Sequence, residues 1–154
     1  MGARRRGREA ALQMLYQMEA SGVSAEEAIR LFWASFPPAQ GDAPLAAGED
    51  AAVDPAEREG ADFANAIVRG YAHERQRVDE LIRSVSQHWR LERMTRVDRN
   101  VLRLGAWELL SCPEIPRRVT LNEAIELAKR FGTESSAAFV NGVLDRIASD
   151  LKKE

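Results

Sequence analysis

The sequence lacks the residues that disulfide frameworks and cysteine-based metal sites require. Its 154 residues include one cysteine, Cys112, and two histidines, His73 and His88, that stand apart from each other. A single thiol cannot form a disulfide within one chain, and two isolated histidines do not have the spacing of a metal pair. We therefore expect no bound metal and no cofactor. With no histidine predicted beside it, Cys112 is typical of a buried structural cysteine rather than a nucleophile.

Long apolar runs and catalytic signatures are also missing. No stretch approaches the 18 or so apolar residues of a transmembrane helix, and the N-terminus lacks the apolar segment of a secretory signal. The glycine loops of nucleotide-binding folds, the metalloprotease helix motif and the hydrolase serine elbow are absent as well. We therefore expect a cytoplasmic protein that makes no membrane contact and is not an enzyme. An apolar content of 45% still suffices for one folded domain, predicted to span residues 1–154.

Helical patterns dominate the chain. Apolar residues recur with the 3.6-residue period of an α-helix almost throughout, and no segment shows sustained strand alternation. Three motifs of the form Ser/Thr-x-x-acid predict helix starts at Ser24, Thr95 and Thr120. Thr133 or Ser135 is expected to cap the last helix. The pattern predicts an all-α protein of about seven helices.

Glu108 lies within the helical segment that has the widest apolar face. A buried carboxylate needs a partner, and an internal arginine would serve. Because no other catalytic group is evident, we favour a structural ion pair over a catalytic acid at this position.

Residues 37–60 differ in composition from the rest of the chain. They are rich in Ala, Pro, Gly and Asp and contain almost no large apolar residue. Such a segment cannot bury enough surface to offset its ordering entropy, so we predict an acidic, mobile loop rather than a domain boundary. A short helix within 55–60 is compatible with this interpretation. A partner-binding insertion is the functional alternative to a merely solvated loop.

Positive charge is concentrated at the N-terminus. Arg4, Arg5, Arg6 and Arg8 precede the first acidic residue, Glu9, whereas the whole chain has a net charge of −2. Arginine binds phosphate bidentately and stays charged at any working pH, so a cluster at the start of a helix indicates a polyanion such as nucleic acid. A disordered tail, a localisation signal or a solvated end would give the same pattern.

A second candidate surface lies near the C-terminus. Phe139 flanks the apolar stripe that begins at Val140, where its ring either extends the core or stacks on an unpaired base. The preceding turn, GTESS, offers hydroxyl groups and free helix N-terminal amides that favour phosphate. An aromatic side chain, a helix N-terminus and a mobile arginine arm are parts that single-stranded RNA recognition uses.

Three blocks of the sequence resemble the NusB family of bacterial transcription antitermination factors. They are RRRGREAALQMLYQME, VDRNVLRLGAWELL and NEAIELAKRFGTESSAAFVNGVLDRI, in that family's order and spacing. The 37–60 loop is longer than is usual in the family. The resemblance implies two packed helical subdomains, each roughly a three-helix bundle, and a non-enzymatic role.

The resemblance also implies an RNA site. NusB-like proteins pair with NusE, a small-subunit ribosomal protein, on the boxA element of nascent RNA. As part of an RNA polymerase antitermination complex they promote read-through of terminators, notably in ribosomal RNA operons. We therefore expect single-stranded RNA to contact the arginine block and the C-terminal surface, through Arg4, Arg5, Arg6, Arg8, Ser135 and Phe139.

The protein partner is expected elsewhere. By the same resemblance NusE would approach near Tyr16, Glu92 and Asp98, where acidic groups would meet a basic ribosomal protein. The alternative hypothesis is a NusB-like protein-interaction module that binds no RNA sequence specifically.

Overall fold

The protein is all-α in the part of the chain that the computed structural model describes, residues 2–38 and 53–153. The prediction of an all-α protein with about seven helices is confirmed. Two compact units divide the chain, Met1–Val68 and Arg69–Glu154, with their boundary inside the third helix. The helices are α1 (Ala3–Ser21), α2 (Ala25–Ser35), α3 (Pro55–His73), α4 (Arg75–Val85), α5 (Arg96–Ser111), α6 (Arg117–Phe131) and α7 (Ser136–Asp150), with one turn of 3-10 helix at Leu91–Arg93.

The first unit contains α1, α2 and most of α3. Its buried apolar side chains recur with the helical period, and among them are Ala11, Leu12, Leu15, Met18, Ala28, Ile29 and Ile67. Gly22 ends α1 with a φ of 70°, a left-handed conformation that favours glycine. Ser24 caps α2 as predicted, because its hydroxyl oxygen accepts a hydrogen bond from the Glu27 amide at 3.2 Å. The Glu27 carboxylate binds Arg30.

The second unit is organised around α5. Ten of its residues, from Arg99 to Leu109, are buried, in keeping with its wide apolar face. The last part of α3 approaches α5 closely, since a Cβ on Gly70 would lie 2.3 Å from the Trp107 ring. Cys112 follows α5 and is buried.

A buried ion pair links three helices of the second unit. Arg103 on α5 donates two hydrogen bonds to Asp79 on α4, from Nε at 3.1 Å and from Nη2 at 3.2 Å. The Tyr71 hydroxyl on α3 donates to the same carboxylate at 3.0 Å. Burial, more than the nearby charges, raises the pKa of Tyr71, so the phenol stays protonated as a donor. The cluster satisfies a carboxylate that would otherwise be costly to bury.

One of the three predicted capping motifs is wrong. Thr95 does cap α5, accepting from the Asp98 amide at 3.1 Å. By contrast, α6 begins at Arg117 after Pro116, so Thr120 lies inside the helix. Its hydroxyl donates to the buried Glu108 carboxylate at 2.9 Å. One contact of the Glu108 carboxylate is therefore with a hydroxyl group on α6, and the expected ion pair with an internal arginine stays a prediction.

The segment 37–60 is partly helical. α3 begins at Pro55, so the last six residues of the predicted loop belong to a helix that continues to His73. Proline is favoured in the first turn of a helix because its missing N–H would be unpaired there anyway. Residues 39–52 of the predicted mobile loop lie outside the described residues. None of the described helices is both long and apolar enough to cross a membrane.

Candidate nucleic-acid interface

The four N-terminal arginines lie in the first turns of an ordered helix. The expected position at the start of a helix is confirmed, because α1 begins at Ala3 and includes all four, whereas the description of the block as a mobile arm is wrong. Arg4 and Arg5 are exposed and Arg6 is half-buried, whereas Arg8 is only 3% exposed. Three guanidinium groups are thus presented at one end of α1, and the fourth is enclosed by protein.

Carboxylates of α3 pair with two of these arginines. Arg6 Nη2 lies 3.0 Å from Glu57 Oε1, and Arg4 Nε lies 3.8 Å from Glu59 Oε1. All four side chains retain solvent exposure, between 26% and 60%. Partly exposed pairs of this kind contribute little to stability and can be exchanged for another anion.

The Phe63 ring on α3 makes cation–π contacts with two of the arginines as well. The guanidinium carbons of Arg4 and Arg8 lie 5.2 and 5.1 Å from the centre of the Phe63 ring. Both distances fall within the range of cation–π attraction. Phe63 and its surroundings enclose Arg8, so a phosphate could reach that guanidinium only after the side chain moved.

The two helices approach closely enough for their backbones to touch. A Cβ on Gly7 would lie 2.6 Å from the Gly60 carbonyl oxygen, and a Cβ on Gly60 would lie 2.7 Å from the Ala3 carbonyl oxygen. Only glycine fits at such distances, because no larger residue could be placed without moving a backbone. The start of α3 is therefore fixed beside the arginine block.

A cleft of about 220 Å³ opens beside Arg6 within the first unit. Phe32, Trp33 and Phe36 contribute its aromatic wall, and the Trp33 indole donates to Asn65 Oδ1 at 2.7 Å. Sequence reasoning missed this cleft, although three aromatic residues in five positions before Pro37 were a visible signal. Aromatic surface beside arginine is a combination that nucleic-acid-binding proteins use.

The turn before α7 is tight and polar. Thr133 and Ser135 are the two predicted caps of α7; Ser135 occupies the position before the helix but makes no side-chain capping hydrogen bond, so that alternative is wrong. Its hydroxyl is exposed and lies 3.3 Å from the Thr133 hydroxyl. The Ser136 oxygen accepts from the Thr133 amide at 2.9 Å, which closes the turn. Gly132 permits this closure, since a Cβ there would lie 2.5 Å from Ser136 Oγ.

Aromatic residues flank this turn on both sides in the chain. Phe139 lies in the first turns of α7 and is half-buried, so it is neither fully enclosed in the core nor fully exposed. Phe131 ends α6, is 37% exposed, and carries the Arg130 guanidinium 5.3 Å from its ring centre. Phe131 was not among the predicted site residues. The sequence signal for it was an aromatic residue at a helix end, directly before Gly132.

The predicted partner-binding residues lie in different units. Tyr16 is on α1 and is 42% exposed. Glu92 and Asp98 belong to the second unit, where Glu92 accepts from Arg83 Nη2 at 2.9 Å. The backbone N–H of Glu92 and then Arg83 hold the pKa of this carboxyl below its usual range. Asp98 Oδ1 is buried and has no hydrogen-bond partner among the described residues.

The surroundings of Glu92 are basic rather than acidic. Three arginines lie within four positions of it, all exposed, and they are Arg90, Arg93 and Arg96. Trp89 is 60% exposed beside them. The Glu92 carboxylate is itself paired with Arg83, and the expectation that acidic groups meet a basic partner near Tyr16, Glu92 and Asp98 stays a prediction.

The described ranges contain no group of three or more histidine, cysteine or acidic side chains that could hold a metal ion. What they offer instead is guanidinium, hydroxyl and aromatic groups. These groups bind phosphates and bases.

Comparisons with known proteins agree on one family. Residues 5–149 match the model of the NusB family. The chain is 55% identical over 151 residues to the transcription antitermination protein NusB of Sorangium cellulosum, covering 98% of this chain and 95% of that protein.

Solved structures show the same fold. A structure of T. maritima NusB is 36% identical, with a TM-score of 0.76, and the match covers 96% of this chain and 91% of that one. A structure of the antitermination factors NusB and NusE in complex with dsRNA gives a TM-score of 0.76 at 22% identity, covering 96% of this chain and 97% of that one. At that identity the second likeness shows the fold alone.

Proposed function

The chain belongs to the NusB family of transcription antitermination proteins, and from that membership we propose that it binds single-stranded boxA RNA together with NusE. In this role it joins an RNA polymerase antitermination complex in the cytoplasm and promotes read-through, notably of ribosomal RNA operons. The observation that carries the proposal is the arginine block on α1, where Arg4, Arg5 and Arg6 are presented to solvent on an ordered helix.

The arginine block supplies affinity for the RNA backbone. Arg4, Arg5 and Arg6 are the direct phosphate contacts in our proposal, because their guanidinium groups retain exposure. Arg8 contributes its charge from beneath the surface and anchors the helix against Phe63. Contacts of this kind add affinity without reading the base sequence.

The surface around the turn at 132–135 supplies base contacts. Ser135 offers an exposed hydroxyl group to a phosphate or a 2′-hydroxyl, and Phe139 offers the accessible part of its ring to an unpaired base. We add Phe131 to this surface, since its exposed ring already carries the Arg130 guanidinium. Stacking on such rings tolerates any base, so selectivity for boxA also requires the partner.

NusE is the protein partner in this proposal, since the solved complex of another NusB contains NusE and RNA. Tyr16, Glu92 and Asp98 are its proposed contacts. Asp98 as a residue is half-buried, so the partner would contact its accessible part rather than the buried Oδ1 atom. The arginines around Glu92 favour a partner segment that offers carboxylate or carbonyl oxygens there.

A mobility-shift titration tests the function. Labelled boxA RNA and a scrambled RNA of equal length are each titrated with this protein, with and without NusE. We expect the tightest complex with boxA and both proteins present, and a weaker, strongly salt-dependent complex with this protein alone. Capture of NusE with no preference for boxA would instead support the alternative, a protein-interaction module without sequence-specific RNA binding.

Phe139→Leu tests the stacking contact. Leucine keeps the apolar volume that α7 buries but removes the ring, so we expect boxA binding to weaken by about 1–3 kcal/mol with the fold retained. Phe139→Tyr is the matched control, because it keeps the ring and should bind nearly as well as the original protein. Equal affinities for the leucine and tyrosine variants would remove Phe139 from the RNA site.

A further inference from the structure

We propose that Glu57 and Glu59 on α3 compete with RNA for the arginine block and so set the affinity and the salt response of the RNA site. We call these two residues the α3 carboxylates. The inference rests on the proposed RNA-binding function and assigns a regulatory role to residues outside the predicted contacts.

The contacts place each carboxylate directly on a proposed phosphate ligand. Glu57 is 3.0 Å from Arg6 and Glu59 is 3.8 Å from Arg4, on side chains that solvent reaches. A phosphate that binds Arg6 must either displace Glu57 or lie within a few ångströms of its negative charge. Both outcomes oppose binding, the first through a lost ion pair and the second through repulsion.

The backbone that carries the α3 carboxylates is held beside the arginine block. Gly7 and Gly60 bring the backbones of α1 and α3 into contact, so the first turns of α3 keep their place beside the arginines. Phe63, one turn further along α3, holds the guanidinium groups of Arg4 and Arg8. The competition is therefore a fixed property of the helix crossing.

The balance of charge favours a polyanion over a single phosphate. The block carries four arginines, and two of them are paired with the α3 carboxylates. One phosphate gains little by replacing one carboxylate. An RNA strand presents several phosphates at once, so its contacts add up after the first exchange.

The proposal also predicts an unusual salt response. RNA binding normally releases cations from the RNA, which makes affinity fall with salt. Here each exchanged arginine also frees a carboxylate, and the freed carboxylate attracts cations from solution. The net cation release is therefore smaller than for unpaired arginines, and the slope of log K against log salt is shallower.

Charge-neutral variants test this competition. Glu57→Gln and Glu59→Gln keep side-chain size but remove the competing charge, so RNA affinity should rise at low salt. We expect a gain of about 1.4-fold to 5-fold for each change, the range that exposed ion pairs span. The slope of log K against log salt should become steeper in the double variant. Fluorescence anisotropy with labelled boxA RNA at several KCl concentrations measures both quantities.

Asp62→Asn is the matched control. Asp62 is an exposed carboxylate on the same helix, and its loss changes the net charge as much as Glu57→Gln does without touching either ion pair. We expect a smaller gain in affinity and an unchanged slope. Equal gains for Asp62→Asn and Glu57→Gln would overturn the proposal, since they would show only a general effect of net charge.

Arg6→Ala separates this inference from the proposed function. If Arg6→Ala weakens RNA binding and Glu57→Gln leaves it unchanged, the competition is refuted while the RNA site stands. If neither change alters RNA binding, the site assignment itself fails. Circular dichroism of each variant checks that the helices remain folded, so that loss of structure is not taken for loss of contact.

Discussion

Two arginine–carboxylate pairs in this protein differ in nearly every physical respect. Arg103 donates two hydrogen bonds to Asp79 in the second unit, and the exposed fractions of the two side chains are 15% and 9%. Arg6 reaches Glu57 in the first unit through one nitrogen, with exposed fractions of 41% and 26%. The first pair is bidentate and also receives the Tyr71 hydroxyl, whereas the second is monodentate and accessible to solvent.

This difference separates an arginine that supports the fold from one that is available to a ligand. Removing one partner of a buried pair leaves an uncompensated charge, so such a pair is costly to break. An exposed pair contributes little to stability because water and salt screen it. Arg103 and Arg6 cannot be distinguished from the sequence alone. They differ in how deeply the side chain is buried and in the geometry of the contact with the carboxylate partner.

Arg103→Ala should produce the largest effect on stability. It leaves the Asp79 carboxylate buried with the Tyr71 hydroxyl as its remaining neutral donor, and we expect unfolding free energy to fall by about 3–5 kcal/mol. Urea denaturation followed by circular dichroism measures the change. The double variant, Arg103→Ala together with Asp79→Asn, should recover part of the lost unfolding free energy. A loss below about 1 kcal/mol, typical of exposed pairs, would show that this pair does not differ from Arg6–Glu57.

Arg6→Ala should show the opposite profile. Stability should change by no more than about 1 kcal/mol, while RNA affinity falls and the salt slope decreases by up to about 0.7 for the lost phosphate contact. Arg30→Ala is the matched control, because Arg30 is an exposed arginine of the same unit that is paired with Glu27. If both variants bind RNA equally, Arg6 has no special role.

Arg83→Ala extends the comparison to a fully exposed pair and should have the smallest effect. The pKa of Glu92 should rise toward its usual value but not reach it, because the hydrogen bond from the residue's own backbone N–H remains. The pair stabilises the fold above the ordinary carboxyl pKa and loses that contribution as the pH falls through the lowered pKa. Carbon-detected NMR titration of the Glu92 carboxyl measures the shift, and Arg90→Ala should move it less. An unchanged pKa in Arg83→Ala would mean that the ion pair is not populated.

Local signals predicted the helices well. Ser24 and Thr95 cap their helices as expected, since the contacts involved span only three residues. Thr120 has the same pattern but lies inside α6, because the helix starts earlier, at Arg117. Its hydroxyl is used by Glu108 on another helix, a tertiary contact that a local motif does not reveal.

The candidate RNA surface was predicted only in part, for a similar reason. Arg4 and Arg6 were identified from their charge, but their partners Glu57 and Glu59 lie more than fifty positions later, in a segment that was interpreted as loop. The start of α3 is held by ion pairs and by the close backbone approach at Gly60. Neither feature produces the periodic pattern of apolar residues from which helices are predicted. The RNA and partner roles of the individual residues remain predictions.

The contact between Gly7 and Gly60 also determines at which stage, folding or binding, the arginine block loses conformational entropy. A flexible basic arm would lose backbone and side-chain entropy at the moment it bound RNA, and that loss would weaken the complex. Here the helix crossing restricts the backbone and several rotamers during folding, before any RNA is present. In the proposed function the block would therefore meet RNA with its backbone already ordered, so the entropy lost on binding would fall mainly on the RNA strand.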